Sequence, residues 1–175
     1  MDYFNQQSER LVFRKLTKED VPSWTEFFEN NEFLGFLGID VSKSSTELAT
    51  EWIEMQLWRY QNQGFGHLAV LSKDTKEFIG VGGILPREIE SKQEYEIAYS
   101  LKSDFRGRGF ATELAKNMLD FAQRNVSAHR FISIIHIDNV NSMRVAEKNG
   151  MTAGELTEFN GMPVRFWFIE KLPKF

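Results

Sequence analysis

The chain has 175 residues, 42% of them apolar and 26% charged, with a formal net charge of −4 and no cysteine. That is one domain's worth of chain with enough apolar residues for a substantial core, so intrinsic disorder is excluded. Without cysteine there are no disulfides, cysteine nucleophiles or thiolate metal ligands, and the mild acidic balance argues against a nucleic-acid partner.

The opening run Met1-Asp2-Tyr3-Phe4-Asn5-Gln6-Gln7 has neither a basic start nor an apolar stretch, so no signal peptide is expected. No run approaches the ~18 apolar residues of a membrane span. The expectation is a cytoplasmic protein with no membrane contact. No repeat, low-complexity tract or linker divides the chain, which reads as one domain over residues 1–175.

Residues 11–16 (Leu-Val-Phe-Arg-Lys-Leu) predict a first strand. Thr17 and Asp20 then mark a helix start, since both side chains can accept from free N–H groups of the first turn. That helix is expected to run to about Asn30. Phe33, Leu34, Phe36 and Leu37 alternate with Gly35 and Gly38 in an apolar loop, either a pocket wall or simple packing. Ser45 is placed as the cap of a second helix reaching about Asn62, with Leu48, Trp52, Ile53 and Tyr60 near one face. Strands are expected over 67–72, 78–85 and 94–101, the first two forming a hairpin. Ala111, Leu114, Ala115, Met118 and Ala122 recur at helical spacing. The β-branched run 131–137 predicts a buried strand, which with the preceding strand and helix makes a βαβ unit. A short helix opens at residues 139–142 and ends before Gly150. Two strands, 152–159 and 163–171, should pair across Asn160-Gly161.

The strongest local signal is Arg106-Gly107-Arg108-Gly109-Phe110-Ala111, between a strand and a helix. The glycines permit a tight turn and close approach to a ligand. Free N–H groups and the dipole at a helix start favour a phosphate. Arg106 and Arg108 add positive charge. A glycine-containing turn with nothing bound is the alternative. The run lacks the Gly-Lys-Ser/Thr of a Walker loop and has Thr112 where a dinucleotide fingerprint needs its third glycine.

Arg106-x-x-Gly109-x-Ala111 after a strand resembles the pyrophosphate signature of the GNAT superfamily of N-acetyltransferases. Residues 97–101 and 110–113, the run from Asp138 to Met151, and less specifically residues 10–14 are similar to the branch that acetylates N-termini of ribosomal proteins. The resemblance covers nearly the whole chain. It implies an α/β (α+β) fold: a mixed, mostly antiparallel sheet with helices on both faces. It implies acetyl-CoA as acyl donor, with no metal. Residues Arg106, Gly107, Arg108, Gly109, Phe110 and Ala111 would hold its pyrophosphate. The strand ending Tyr99-Ser100-Leu101 would pair with its pantetheine arm, an N–H near Tyr99 or Ser100 meeting the thioester oxygen, where charge builds. Asn139 would steady it near the thiol.

Glu96 matches the family's acidic position and is the candidate base for the amine proton; a solvated or salt-bridged strand residue is the alternative. By period two it shares a face with Glu94, Ala98 and Ser100, and Glu94 is expected at the surface. Many family members have a tyrosine where this chain has Ala146, so Ser142, a serine position of the resembled branch, becomes the candidate acid for the leaving thiolate. It is equally a candidate helix cap. His67, His129 and His136 show no metal-ligand spacing. Three functions stay open: acetylation of a protein N-terminal α-amine, acetylation of a small amine (polyamine, amino sugar or amino acid), or acyl-CoA binding without turnover. A homodimer is compatible with each.

Overall fold

The computed structural model describes residues 2–29 and 31–171. In chain order the elements are β1 (Asn5–Gln7), β2 (Leu11–Arg14), α1 (Val21–Phe28), α2 (Ser45–Asn62), β3 (Gly66–Ser72), β4 (Phe78–Ile89), β5 (Lys92–Leu101), α3 (Phe110–Asn125), β6 (Arg130–His136), α4 (Val140–Lys148), β7 (Thr152–Phe159) and β8 (Met162–Glu170). The strands form one sheet in the order β1-β2-β3-β4-β5-β6-β8-β7. Every neighbouring pair is antiparallel except β5 and β6. This is the mixed, mostly antiparallel sheet that the family resemblance implied.

Both faces of the central strands are covered, which is why β3 and β4 read as nearly continuous apolar runs. Leu68, Val70, Ile79, Ile84 and Ile97 pack with the Leu114, Ala115, Met118 and Ala122 stripe of α3. On the opposite face Ala69, Phe78 and Val81 pack with Trp24, Phe27 and Phe28 of α1 and Leu48, Ala49 and Ile53 of α2. Gly82 lets α3 lie directly on β4. A Cβ there would stand 2.4 Å from Leu114 Cδ2, and Leu114 is fully buried. Gly82→Ala should therefore cost about 1–3 kcal/mol by overpacking, read as a lower urea midpoint.

Several element boundaries differ from the sequence expectation. The first helix begins with a 3-10 turn at Lys18–Asp20, and α1 ends at Phe28; the expected end at Asn30 lies outside the described residues. Asp20 is a hub there. Its carboxylate accepts from the Thr17 N–H at 2.8 Å and pairs with Arg14 at 2.7 Å. The cap of α2 is Ser44, not Ser45: its hydroxyl oxygen accepts from the Glu47 N–H at 3.3 Å, and the Glu47 carboxylate accepts from the Ser44 N–H at 2.9 Å. That reciprocal pairing is the capping box. Strands β4 and β5 extend beyond the expected ends, turning at Glu90 and Ser91 with φ of 50° and 61°. A turn of this hand normally takes Asn or Gly, so it left no mark in the sequence. By contrast, Asn160 and Gly161, with φ of 51° and 75°, make the turn expected between β7 and β8.

One feature of the sheet positions the site. Strand β5 pairs with β4 from Lys92 to Leu101. Its registered pairing with β6 is the single pair Glu96–Ile132. Residues 99–101 thus have a strand partner on one edge only, beside the start of α4.

Candidate active site

Two cavities open on this stretch of β5. The first, of about 360 Å³, is walled by Tyr99, Ser100 and Leu101, by the turn that starts α3, and by the exposed side of α4. Of the turn, Arg106, Gly107, Gly109, Phe110 and Ala111 line it. The first intrahelical hydrogen bond of α3 is Glu113 N–H to Gly109 O. The N–H groups of Phe110, Ala111 and Thr112 precede it and are among the unpaired donors of a helix start. Gly107 (φ 71°) and Gly109 (φ 80°) are left-handed. A Cβ at Gly107 would meet nothing within 4 Å, so a ligand can approach that backbone. Arg144 and Lys148 on α4 complete a cationic rim that sequence reading missed. Backbone donors, a left-handed Gly turn and cationic side chains suit a pyrophosphate; the apolar wall of Phe27, Phe33 and Leu37 suits an uncharged arm. These residues fit CoA.

The turn is braced from behind. Glu113 accepts from Ser8 at 2.6 Å, from the Arg10 N–H at 2.7 Å and from Arg10 Nε at 2.7 Å. Arg10 in turn donates to the Arg108 carbonyl at 3.1 Å and lies 4.5 Å over the Phe110 ring. Burial pushes the Glu113 carboxyl up, but the donors from Ser8 and Arg10 outweigh it and hold the pKa below the usual value. The two arginines of the turn behave differently. Arg106 donates to the Leu101 carbonyl at 3.0 Å and lies 5.0 Å over Phe33. Arg108 folds back over Phe110 (5.1 Å) and Phe105 (5.7 Å) and is not among the lining residues.

The start of α4 forms the junction. Its N-cap is Asn139, whose side-chain oxygen accepts from the Ser142 N–H at 3.1 Å. The cap expected as one role for Ser142 is therefore filled by Asn139, and Ser142 sits in the first turn. The Tyr99 hydroxyl donates to the Ser142 carbonyl at 3.2 Å. Burial raises the Tyr99 pKa well above its ordinary value, so the phenol stays protonated. Ala146 points away from both cavities into a cluster with Ile135, Met151 and Trp167.

The second cavity, of about 300 Å³, lies on the α2 side of the sheet and shares Leu37, Tyr99, Ser100, Asn139 and Ser142 with the first. Glu96 is on its wall, 6% exposed. Arg87 Nε and Nη2 reach the same carboxylate oxygen, Oε2, at 2.8 and 2.7 Å. Among the described residues no donor is paired with Oε1. Glu94, expected at the surface, is instead 8% exposed and pairs with Arg130 at 2.6 Å. The parallel placement of β6 brings Arg130 over it, an arrangement that local periodicity does not encode. Phe36 caps the cavity, stacked on His136 with ring centres 4.8 Å apart, so the apolar loop is a wall. Trp52, Arg59, His67 and Arg87 also line this cavity, and none was singled out as a site residue from sequence. Among the described residues no three His, Asp or Glu side chains gather as metal ligands.

The family model described as an acetyltransferase (GNAT) domain matches residues 10–152. YkkB of Bacillus subtilis is 35% identical over 104 residues, 58% of this chain and 59% of YkkB's own length. YoaA of Bacillus subtilis, described as an uncharacterized N-acetyltransferase, is 26% identical over 161 residues, 90% of each protein. A solved structure of a putative ribosomal-protein-serine acetyltransferase from Vibrio cholerae superimposes with a TM-score of 0.78 at 15% identity, covering 97% of this chain and 98% of that one.

Proposed function

The chain belongs to the GNAT acetyltransferases, which take the acetyl group from acetyl-CoA, and on that premise we propose that the second cavity holds a primary amine which accepts it by direct attack. The observation that carries this is the meeting of the two cavities at Tyr99, Ser100, Asn139 and Ser142. Donor and acceptor then reach one point from two adjoining cavities, as a reaction between two bound molecules requires.

Acetyl-CoA supplies the acetyl group as a thioester, whose carbonyl carbon takes the amine nitrogen and whose sulfur departs as the thiol. The N–H groups at the start of α3, with Arg106, hold the pyrophosphate. The open edge of residues 99–101 orients the arm, and an N–H of Tyr99 or Ser100 meets the thioester oxygen. Asn139 fixes the first turn of α4 and so the position of Ser142. Glu96 receives the amine proton on Oε1 while Arg87 holds Oε2. The Ser142 hydroxyl donates to the leaving sulfur and regains a proton from solvent, to which Glu96 releases the proton it took from the amine.

Two acceptor classes are each favoured by one observation. Likeness to a neighbour described as a ribosomal-protein-serine acetyltransferase favours a protein N-terminal α-amine. The size of the second cavity, about 300 Å³, favours a small amine or only the first residues of a peptide.

Direct transfer has a kinetic signature. Initial rates at several fixed amine concentrations should give intersecting reciprocal plots. Parallel lines, the mark of a covalent acyl-enzyme, would contradict it. Ser142→Ala separates acid from scaffold. Since Asn139 is the cap, the variant should melt within a degree or two of the parent, its stability change inside about 0.5 kcal/mol. Its turnover should fall, though short of the roughly 10²–10⁴-fold of full acid–base catalysis, because a thiol leaves readily. Turnover equal to the parent's would remove the hydroxyl from the chemistry. Asn139→Ala should instead lose about 0.5–2 kcal/mol of stability.

A further inference from the structure

The second cavity carries more positive charge than its carboxylate matches. Arg59 from α2 and Arg87 from β4 both line it, and Glu96, on the same cavity's wall, is in electrostatic reach of Arg59. Arg87 is committed to Glu96. Arg59 has no ion pair among the described residues, and its Nη1 donates only to Gln56 Oε1, at 3.3 Å. Partial burial depresses its pKa, and repulsion from Arg87 adds to that, against the pull of Glu96.

An independent observation lies beside it. His67 is 5% exposed, and neither of its ring nitrogens has a hydrogen-bond partner. The ring stacks on Trp52, centres 5.5 Å apart and planes within 10°. Burial, then Arg59 and Arg87, depress its pKa well below the ordinary value, so the ring is neutral, and both its nitrogens are shut off from solvent. Buried polar atoms are nearly always partnered. Here the imidazole is neutral, so beside it Arg59 is left as a guanidinium on the cavity wall with no carboxylate of its own among the described residues.

We infer that the acceptor amine carries an anionic group, a carboxylate or phosphate, which this cavity binds on Arg59; this rests on the acetyltransferase assignment above. The guanidinium fork suits a carboxylate or phosphate. The amine end then points along the wall past Glu96 to the junction at Ser142. A polyamine is the wrong partner, because its second cation would meet two arginines facing one carboxylate.

The test compares acceptors in pairs that differ only in the anion: amino acids and their amides, phosphoethanolamine and ethanolamine, and short peptides with Glu or Gln second. Thiol release from acetyl-CoA is followed, and rates are referred to the free-amine concentration. In at least one pair the anionic member should show a kcat/KM about 10- to 100-fold higher, carried by KM, as one charge-assisted contact supplies. The pair that responds identifies whether the anion is an amino-acid carboxylate, a phosphate or a peptide side chain. Arg59→Met should collapse that ratio toward one, and Arg59→Lys should restore part of it. Acetylation of neutral and anionic members alike overturns the inference while leaving the acetyltransferase assignment intact. A preference that survives in Arg59→Met overturns the role of Arg59. If CoA binds by calorimetry and no amine in any pair is acetylated, the assignment itself falls and the inference with it.

Discussion

Gly109→Val should weaken CoA binding about 100-fold or more in a protein that still folds. Gly109 holds φ of 80° at the N-cap of α3. A β-branched residue is a steric outlier there, at a cost of about 1–2 kcal/mol or more. Relief of that strain turns the backbone and re-aims the N–H groups that follow. Each hydrogen bond to a charged group contributes roughly 1.5–3 kcal/mol, so losing two lowers affinity about 100-fold or more. Calorimetry reads the affinity directly. Gly64→Val is the control. Gly64 has φ of 71° with nothing within 4 Å of a Cβ, and it stands outside the first cavity, so it carries the strain without the site. CoA affinity should survive in Gly64→Val. Unchanged affinity in Gly109→Val would remove the turn from the binding site.

Glu96→Gln should keep CoA affinity and lose roughly 10²–10⁴-fold in turnover near neutral pH, the range of general-base work. Glutamine keeps an oxygen to accept from Arg87 but cannot take a proton. The pH dependence follows from the acceptor. An α-amine with a pKa of about 7.7–8.0 is mostly protonated at pH 7, and the proton it sheds on attack needs a receiver. At high pH the amine arrives neutral and hydroxide is plentiful, so the deficit should narrow as pH rises. A variant as active as the parent at neutrality would take Glu96 out of the mechanism and leave it as the partner of Arg87 alone.

What was legible in the sequence was local chemistry. The glycine turn before α3, the apolar stripe from Leu114 to Ala122 and the Asn160-Gly161 turn depend on residues a few positions apart, and the structure has all three. The sheet order came from family likeness, because no periodicity states which strands become neighbours. Where the structure departs, the cause is usually long-range. Glu94 is buried because β6 delivers Arg130 to it. Arg59, His67 and Arg87 come from α2, β3 and β4 and meet only after the sheet assembles, so each reads in the sequence as an ordinary helix or strand residue. The Glu90-Ser91 turn went unseen because neither residue is one that a left-handed turn selects. Ser142 went from two candidate roles to one once Asn139 proved to be the residue whose side chain caps α4.

The most direct measurement is stoichiometric. The protein is incubated with acetyl-CoA and a primary-amine panel spanning peptides and small molecules, free thiol is followed, and the amines are weighed by mass spectrometry. Thiol released in step with one acetyl group gained by an amine, and absent when either substrate is omitted, is the expected result. CoA bound in the first cleft with no amine acetylated would contradict the account, and would mark the chain as a binder of acyl-CoA without turnover.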